Sequence, residues 1–307
     1  MRLVLMTEPQ LGGTYDDLRF AAQSAERAGL DGFSRSDHYY WTGQPSLPAT
    51  DAFTTVAGLA RETERVRLTI LVSPITFRHP AVIAKSAASL DEMSGGRFDL
   101  GLGAGWMEAE HTAFGLPFPS RKERFSRLEE SLQYMRAAFT GGSFEGRFYR
   151  FEGDMHPRPT GVRLVVGGSG PERTPTLAGR FADEYNHDSI APGELGGKIE
   201  VMKEAARAAG RNPDDITVSV MGPSMLAPNA KRHSELLENA RFRKVPVKEL
   251  EGRLDAEGVP HGTPDRAAEA FAAYAAVGVS KYYLQWLDLG DRAGIAEQVE
   301  LAAGLKL

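Results

Sequence analysis

Apolar residues in this chain recur in two alternating patterns, short β-branched runs and longer stretches with apolar positions three and four apart. The runs predict strands and the stretches predict amphipathic helices. Arg2 to Thr7 is the first strand, and Thr14 with Asp17 forms a capping box for a helix whose inner face is Leu18, Ala22, Ala25 and Gly29. Gly32 to Ser34 is a short second strand, after which Asp51 caps a helix through Phe53, Val56 and Ala60. Arg67 to Val72 is the third strand. Pro80 then opens a helix with Val82, Ile83, Ala87 and Leu90 on one face, Gly95-Gly96 stops it, and the fourth strand runs from Arg97 to Gly103.

The alternation continues. Ser120 and Glu123 make a second capping box, opening a long helix striped with Phe125, Leu128, Leu132, Met135 and Phe139 and ended by Gly141-Gly142. Ser143 to Thr160 is polar and Arg-rich, with a short hairpin predicted at SFEGRFYRF. Val162 to Val166 is a fifth strand, followed by the turn GGSGP, a helix to about Ala182 and a sixth strand ending at Asn186. A helix from Leu195 to Ala209 precedes a seventh strand, Ile216 to Val220. Leu226 to His261 is long and polar with some helical periodicity; Thr263-Pro264 caps and opens a helix to Val277, and Lys281 to Trp286 is the last strand.

Eight strands alternating with helices over 307 residues favour a closed (β/α)8 TIM barrel over an open doubly wound sheet. One domain over residues 1–307 is expected, with insertions near 104–120, 143–160 and 226–261, because no low-complexity linker divides the chain.

Composition narrows the function. A hydrophobic content of 42% with 25% charged residues suits an enzyme-sized fold with a large core, and the net charge of −5 argues against a nucleic-acid partner. The basic group Arg241, Arg243 and Lys244 reads as solvated surface. The absence of Cys excludes disulfides, thiolate nucleophiles and Cys-type metal sites. No apolar run approaches the ~20 residues that cross a bilayer. The start, MRLVLMTEPQ, is too soon interrupted for a signal peptide, so a cytoplasmic location without a membrane partner is expected.

In a barrel, function lies in the turns after the strands. These turns carry Glu8; Asp37, His38 and Trp41; Ser73 and Pro74; Gly105, Trp106, Glu108 and Glu110; Gly167 to Pro171; Asn186, His187 and Asp188; and Asp288. Such a mouth has aromatics, an Asp-His pair and a Gly-rich turn, and lacks the acidic or His cluster of a metal site. In VVGGSGPERTP, glycines let backbone N–H groups approach a phosphate, Ser169 adds a hydroxyl, and the next helix presents its positive end. The alternative is a plain tight turn. Asp37-His38 reads as an acid/base pair or cofactor contact, or as a His satisfied locally. Trp41 and Trp106 either wall an aromatic pocket or simply pack. Glu110 is the better inward contact and Glu108 the solvated one.

Four segments in order, SDHYYW, LVSPITFRHPAVIAKSAASLDEMSGGRFDLGLGAGWMEAEH, AFGLPFPSRKERFSRLEE and VVGGSGPERTPTLAGRFADEYN, resemble the bacterial luciferase-like monooxygenase superfamily. Within it they resemble the branch of coenzyme F420-dependent oxidoreductases, closely over residues 1–186 and loosely beyond. The resemblance implies a TIM barrel with a deazaflavin or flavin at its C-terminal mouth and hydride transfer to or from a small-molecule substrate. It places His38 beside the reactive ring as the catalytic residue, with Asp37 next to it. It places Ile70, Leu71 and Ser73 on a bulged strand end, often with a non-prolyl cis peptide, behind the ring. Gly168, Ser169 and Gly170 take the phosphate, flanked by Gly167, and Gly105 joins the cofactor contacts. Glu8, Trp41, Trp106, Glu110, Asn186 and Trp286 are the expected substrate neighbours. Arg147, Arg150, Arg158 and Arg163 are weighed as cations for an F420 oligoglutamate tail against solvated surface.

The chain departs from sugar-phosphate dehydrogenases of the superfamily in carrying Trp106 where they have a Glu, and Trp41 then Thr42 where their Trp comes one position later. That argues against a glucose-6-phosphate-like substrate. The alternatives to F420-dependent hydride transfer are an FMN-dependent monooxygenase using reduced flavin and oxygen, and a non-catalytic F420- or flavin-binding protein. Leu226 to His261 reads as a lid or a surface insertion, and superfamily members are often dimers, which makes a homodimer the assembly to look for.

Overall fold

The computed structural model describes residues 1–42, 47–240 and 244–307; the end of the SDHYYWTGQ turn and the basic residues Arg241 and Arg243 lie outside them. Parallel strands β1 (Arg2–Thr7), β2 (Gly32–Arg35), β3 (Arg67–Pro74) and β4 (Phe98–Gly103) alternate with helices α1 (Tyr15–Ala28), α2 (Ala52–Glu62) and α3 (Pro80–Ser94). After β4 come a short α4 (Glu108–Phe114), the long α5 (Arg121–Thr140) and an antiparallel hairpin of β5 (Phe144–Glu145) and β6 (Arg150–Phe151). Strands β7 (Arg163–Gly167), β8 (Glu184–Asp188) and β9 (Thr217–Pro223) follow, separated by α6 (Arg173–Phe181) and α7 (Pro192–Ala208). The predicted polar segment folds as β10 (Met225–Leu226), α8 (Ala230–Glu238), α9 (Val247–Ala256) and β11 (His261–Gly262). It is followed by α10 (Pro264–Ala276), β12 (Lys281–Trp286) and α11 (Arg292–Ala303).

The eight long strands close in the order β1-β12-β9-β8-β7-β4-β3-β2, the (β/α)8 barrel expected from the alternation. Local chemistry explains the helix starts. Thr14 accepts from the Asp17 N–H while the Asp17 carboxylate accepts from the Thr14 N–H, and Asp51 accepts from the Thr54 N–H. Ser120 makes only its half of the predicted box, and Thr263 makes no side-chain cap, so Pro264 alone opens α10.

Two apolar layers result. Outward-facing strand residues such as Leu5, Phe33, Ile70 and Leu100 pack with the inner helix faces, while Val4, Met6, Leu71, Val165 and Tyr283 fill the barrel itself. Full burial of one such side chain contributes about 1.5–3 kcal/mol. Val82, expected on the inner face of α3, is 53% exposed: with Ile83, Ala87 and Leu90 turned inward, its position is a 100° step off the stripe. Helix α11 lies beyond the last element that the pattern predicted, and Ile295, Val299 and Ala302 bury it.

Below the apolar filling, at the N-terminal end, charges close on one another. Lys281 Nζ lies 2.8 Å from Glu184 Oε2 and 3.6 Å from Asp99 Oδ2, Arg67 donates to Asp99 Oδ1, and the Tyr283 hydroxyl donates to Glu184 Oε1 at 2.8 Å. Among the described residues no helix is long and apolar enough to cross a membrane.

Candidate active site

At the opposite end, the turns after the strands surround a cavity of about 760 Å³, within the usual size range of small-molecule sites. Its shape depends on an irregularity in β3. The register against β4 shifts between Ile70 and Ser73, the Leu71–Val72 peptide is cis, and both consecutive side chains, Leu71 and Val72, face the barrel interior and line the cavity. The neighbouring strand β4 makes room with glycine: a Cβ on Gly101 would lie 2.2 Å from the Ile70 carbonyl oxygen, and one on Gly103 2.6 Å from Val72 Cγ2.

His38 stands on the wall formed by the β2 turn. Its Nδ1 lies 2.9 Å from Glu110 Oε1, and the Tyr39 N–H donates to Glu110 Oε2 at 3.1 Å. A carboxylate only accepts, so Nδ1 carries the proton of this contact and Nε2 is the ring nitrogen left for a ligand. Burial pushes the imidazole pKa down, but the hydrogen bond and charge of Glu110, followed by the charges of Glu8 and Asp37, outweigh it and raise it above 6.5.

Behind His38 the turn is clamped. Asp37 accepts from Ser73 Oγ at 2.7 Å and from Arg78 at 2.5 and 3.2 Å, and Arg78 also donates to Asp51, the cap of α2. Opposite charges on Asp37 and Asp51 raise the Arg78 pKa despite burial. Arg35, wholly buried beneath, donates to the Ser36, Thr50 and Asp51 carbonyls and to the Thr50 and Thr55 hydroxyls. Burial pulls its pKa down to about 10.

Across the cavity, β7 ends in Gly167, Gly168, Ser169 and Gly170 ahead of α6. Gly168 has φ +145°, and a Cβ at Gly170 would press to 3.2 Å on the Thr174 hydroxyl in the first turn of α6. Ser169 donates its hydroxyl to Asp188, and Lys198 Nζ donates to the Ser169 carbonyl at 3.2 Å. Arg121 and Arg124, at the start of α5, complete a cationic side of the same cavity.

Of the predicted residues, the cavity brings together Glu8, His38, Trp41, Leu71, Gly105, Trp106, Glu110, Gly167, Gly168, Ser169, Gly170 and Asn186. It does not include Asp37 and Ser73, which lie one layer back and hold each other. Ile70 and Trp286 are corrections of a different kind. Side chains alternate along a strand, so Ile70 and Trp286 face the helices, where Trp286 Nε1 donates to the Asp288 carbonyl, while Leu71 and Gln285 face the mouth. The four arginines weighed for a tail do not gather. Arg163 starts β7 at the far end of the barrel and donates to Thr217, Arg150 pairs with Glu152, and Arg158 pairs with Asp154.

Sequence reasoning missed Gln10, Arg121, Arg124 and Gln285 as cavity residues, while Asp188, placed among the mouth turns by the sequence, also lines the cavity. Strand alternation alone singles out Gln285, a polar residue on an interior position; the arginines are signalled by their place in the first turn of the helix after the β4 loop. Buried Glu8 accepts from Gln10 Nε2 at 2.6 Å and Gln285 Nε2 at 2.7 Å, and among the described residues no cation is bonded to it. Trp106 is 65% exposed at the rim and meets His38 and Trp41 edge-on, with ring centroids 5.7 and 6.4 Å apart.

A protein-family model described as luciferase-like monooxygenase matches residues 2–249. A relative from Nakamurella multipartita named F420-dependent glucose-6-phosphate dehydrogenase is 33% identical over 207 residues, covering 65% of this chain and 60% of the relative. One of the same name from Amycolatopsis mediterranei is 32% identical over 233 residues, covering 74% and 69%. The chain thus spans about three fifths to two thirds of the length of the curated relatives it matches. Solved structures sharing the fold include an F420-dependent secondary alcohol dehydrogenase in complex with an F420-acetone adduct, with TM-score 0.79, 20% identity and coverage of 99% and 98%. The monooxygenase RslO1 from Streptomyces bottropensis superposes with TM-score 0.80, 24% identity and the same coverage.

Proposed function

The chain belongs to the luciferase-like monooxygenase family, and from that premise we propose that it is an F420-dependent oxidoreductase transferring a hydride between coenzyme F420 and a small organic substrate. The observation that carries this reading is the cavity with His38 and Glu110 on one wall and the glycine cradle on the other. The relatives named F420-dependent dehydrogenases favour F420 over FMN.

The donor set suits a phosphorylated deazaflavin. Backbone N–H groups of Gly168 to Gly170, the Ser169 hydroxyl turned away from Asp188, and the start of α6 would hold the phosphate, with Lys198, Arg121 and Arg124 nearby. Leu71 and Val72 would support the ring from behind, and Gly105 leaves space at its edge. When bound, F420 supplies the hydride chemistry.

The chain's own part is proton handling and positioning. His38 holds a proton at Nε2 and gives it to, or takes it from, a substrate oxygen or nitrogen, while Glu110 fixes the ring orientation and stabilises the imidazolium. Glu8, held by two side-chain amides, and Asn186, whose amide donates to Ser219 Oγ at 2.9 Å, orient polar substrate groups. Trp41 and Trp106 give the entrance an apolar wall. The resemblance implies a Glu at the place of Trp106 in sugar-phosphate dehydrogenases of the superfamily, and the exposed Trp106 ring beside His38 instead favours a small carbonyl, alcohol or conjugated compound as substrate.

Titrating the purified protein separately with F420 and FMN, by tryptophan fluorescence, tests the reading. Micromolar or tighter F420 binding, about −8 kcal/mol or better, with weaker FMN binding is expected. The reverse order points to a flavin monooxygenase, and binding of neither refutes the cradle.

A further inference from the structure

The segment that returns between β10 and β11 carries a second chemical cluster, none of whose residues lines the His38 cavity. His233 on α8, Glu251 on α9 and His261 on β11 place ligand atoms within 4.8 Å of one another. Both histidines are buried. We propose that these three side chains form a binding site for a divalent transition metal of the zinc class, which clamps the 225–262 segment. The sequence reading expected no metal site, and this triad, outside the mouth, departs from that expectation.

The hydrogen-bond pattern is what a metal would replace. His261 Nδ1 and His233 Nε2 face each other at 3.0 Å and share one proton. An ion in that proton's place, with the pair opened slightly, reaches both nitrogens at the ~2.0–2.1 Å typical of zinc–imidazole bonds. His261 Nε2 donates to Asp255 Oδ1 at 3.1 Å, and Asp255 lies one helical turn beyond Glu251. A carboxylate behind a ligating imidazole fixes its tautomer and raises its basicity. Arg266 donates to Glu251 Oε1 at 2.7 Å and Asp255 Oδ1 at 2.8 Å, which steadies both carboxylates and leaves Glu251 Oε2 to the ion.

Two nitrogens and one oxygen leave a fourth position for water, and borderline donors of this kind select zinc over calcium or magnesium.

The segment has its own small apolar core: among the described residues Leu237, Leu254 and Val259 are buried, with Met225, Val247 and Leu250 packed against them. The end of α9, at Ala256 and Glu257, borders a cleft that also touches Ser169 and Asp188, so holding α9 in place also holds the rim beside the glycine cradle.

The test is a competition titration of metal-stripped full-length protein with zinc chloride against a chromophoric chelator, together with thermal unfolding with and without zinc. One site per chain at micromolar Kd or tighter and a raised melting temperature are expected. His233→Gln and His261→Gln should each weaken binding at least tenfold, and Asp255→Asn by roughly ten- to hundredfold. Equal zinc affinity in wild type and the His233→Gln/His261→Gln double variant, or an unchanged melting temperature, would overturn the proposal. Should the variants fail to fold, cobalt(II) in the wild type decides: intense visible bands of low-coordinate cobalt support the site, and only the weak bands of six-coordinate cobalt refute it.

Discussion

The two ends of the barrel both bury charge, but they balance it differently. At the base, Lys281 and Arg67 meet Glu184 and Asp99 as opposite charges, with Tyr283 on the remaining Glu184 oxygen. At the mouth, the Glu8 carboxylate is bonded, among the described residues, to two side-chain amides, and His38 has one ring nitrogen tied to Glu110 and the other left for a ligand. The difference teaches how one scaffold separates stability from chemistry. Charges that are to stay inert are paired with each other, because a buried ion left alone costs several kcal/mol. Groups that are to act are held so that one face stays available: Glu8 by amides, and His38 by a carboxylate on Nδ1 that leaves Nε2 for a ligand.

Lys281→Met attacks this contrast hardest. It leaves Glu184 and Asp99 facing each other at the base, and a loss of about 3–5 kcal/mol in urea unfolding is expected. F420 affinity of the folded fraction should not change; a variant with near-normal stability would remove the distinction between the two ends. His38→Ala is the mirror experiment. Turnover with F420 should fall by roughly 10²–10⁴-fold, with F420 binding and the unfolding midpoint close to wild type. Equal turnover would leave the mouth with binding alone.

Glu110→Gln sharpens the comparison with a smaller effect. The folded pKa of His38 is raised, so its protonated form contributes stability that is full below pH 6.5, the ordinary value, and is lost as pH rises through the folded value. Without the Glu110 charge that contribution shrinks, and the His38 limb of the pH–activity profile moves to lower pH. NMR titration of the imidazole checks the direction, and an unmoved pKa would show that Glu110 does not set it.

Much of the mouth was legible because its signals are local. The run VVGGSGPERTP declares a glycine turn before a helix, and His38 follows a strand. Trp286 and Ile70 show where that legibility stopped. A strand buried on both faces reads as continuously apolar, so its pattern does not say which side chain enters the barrel. Arg163, weighed with Arg147, Arg150 and Arg158 as a cation for an F420 tail, begins a barrel strand at the far end from the cradle. Glu110 was expected to face substrate; it lines the cavity while both of its oxygens bond the β2 turn, His38 Nδ1 and the Tyr39 N–H.

The sequence by itself determined the alternation of strands and helices, most helix starts and the chemistry of each turn, since periodicity, caps and glycines act within a few residues. Only the tertiary structure decided which turns share a cavity and which acid reaches His38. It also decided that His233 meets His261 across 28 residues of chain. Those pairings are set by barrel closure and register, which bring distant residues together through hydrogen-bonded backbone and leave no trace in local spacing.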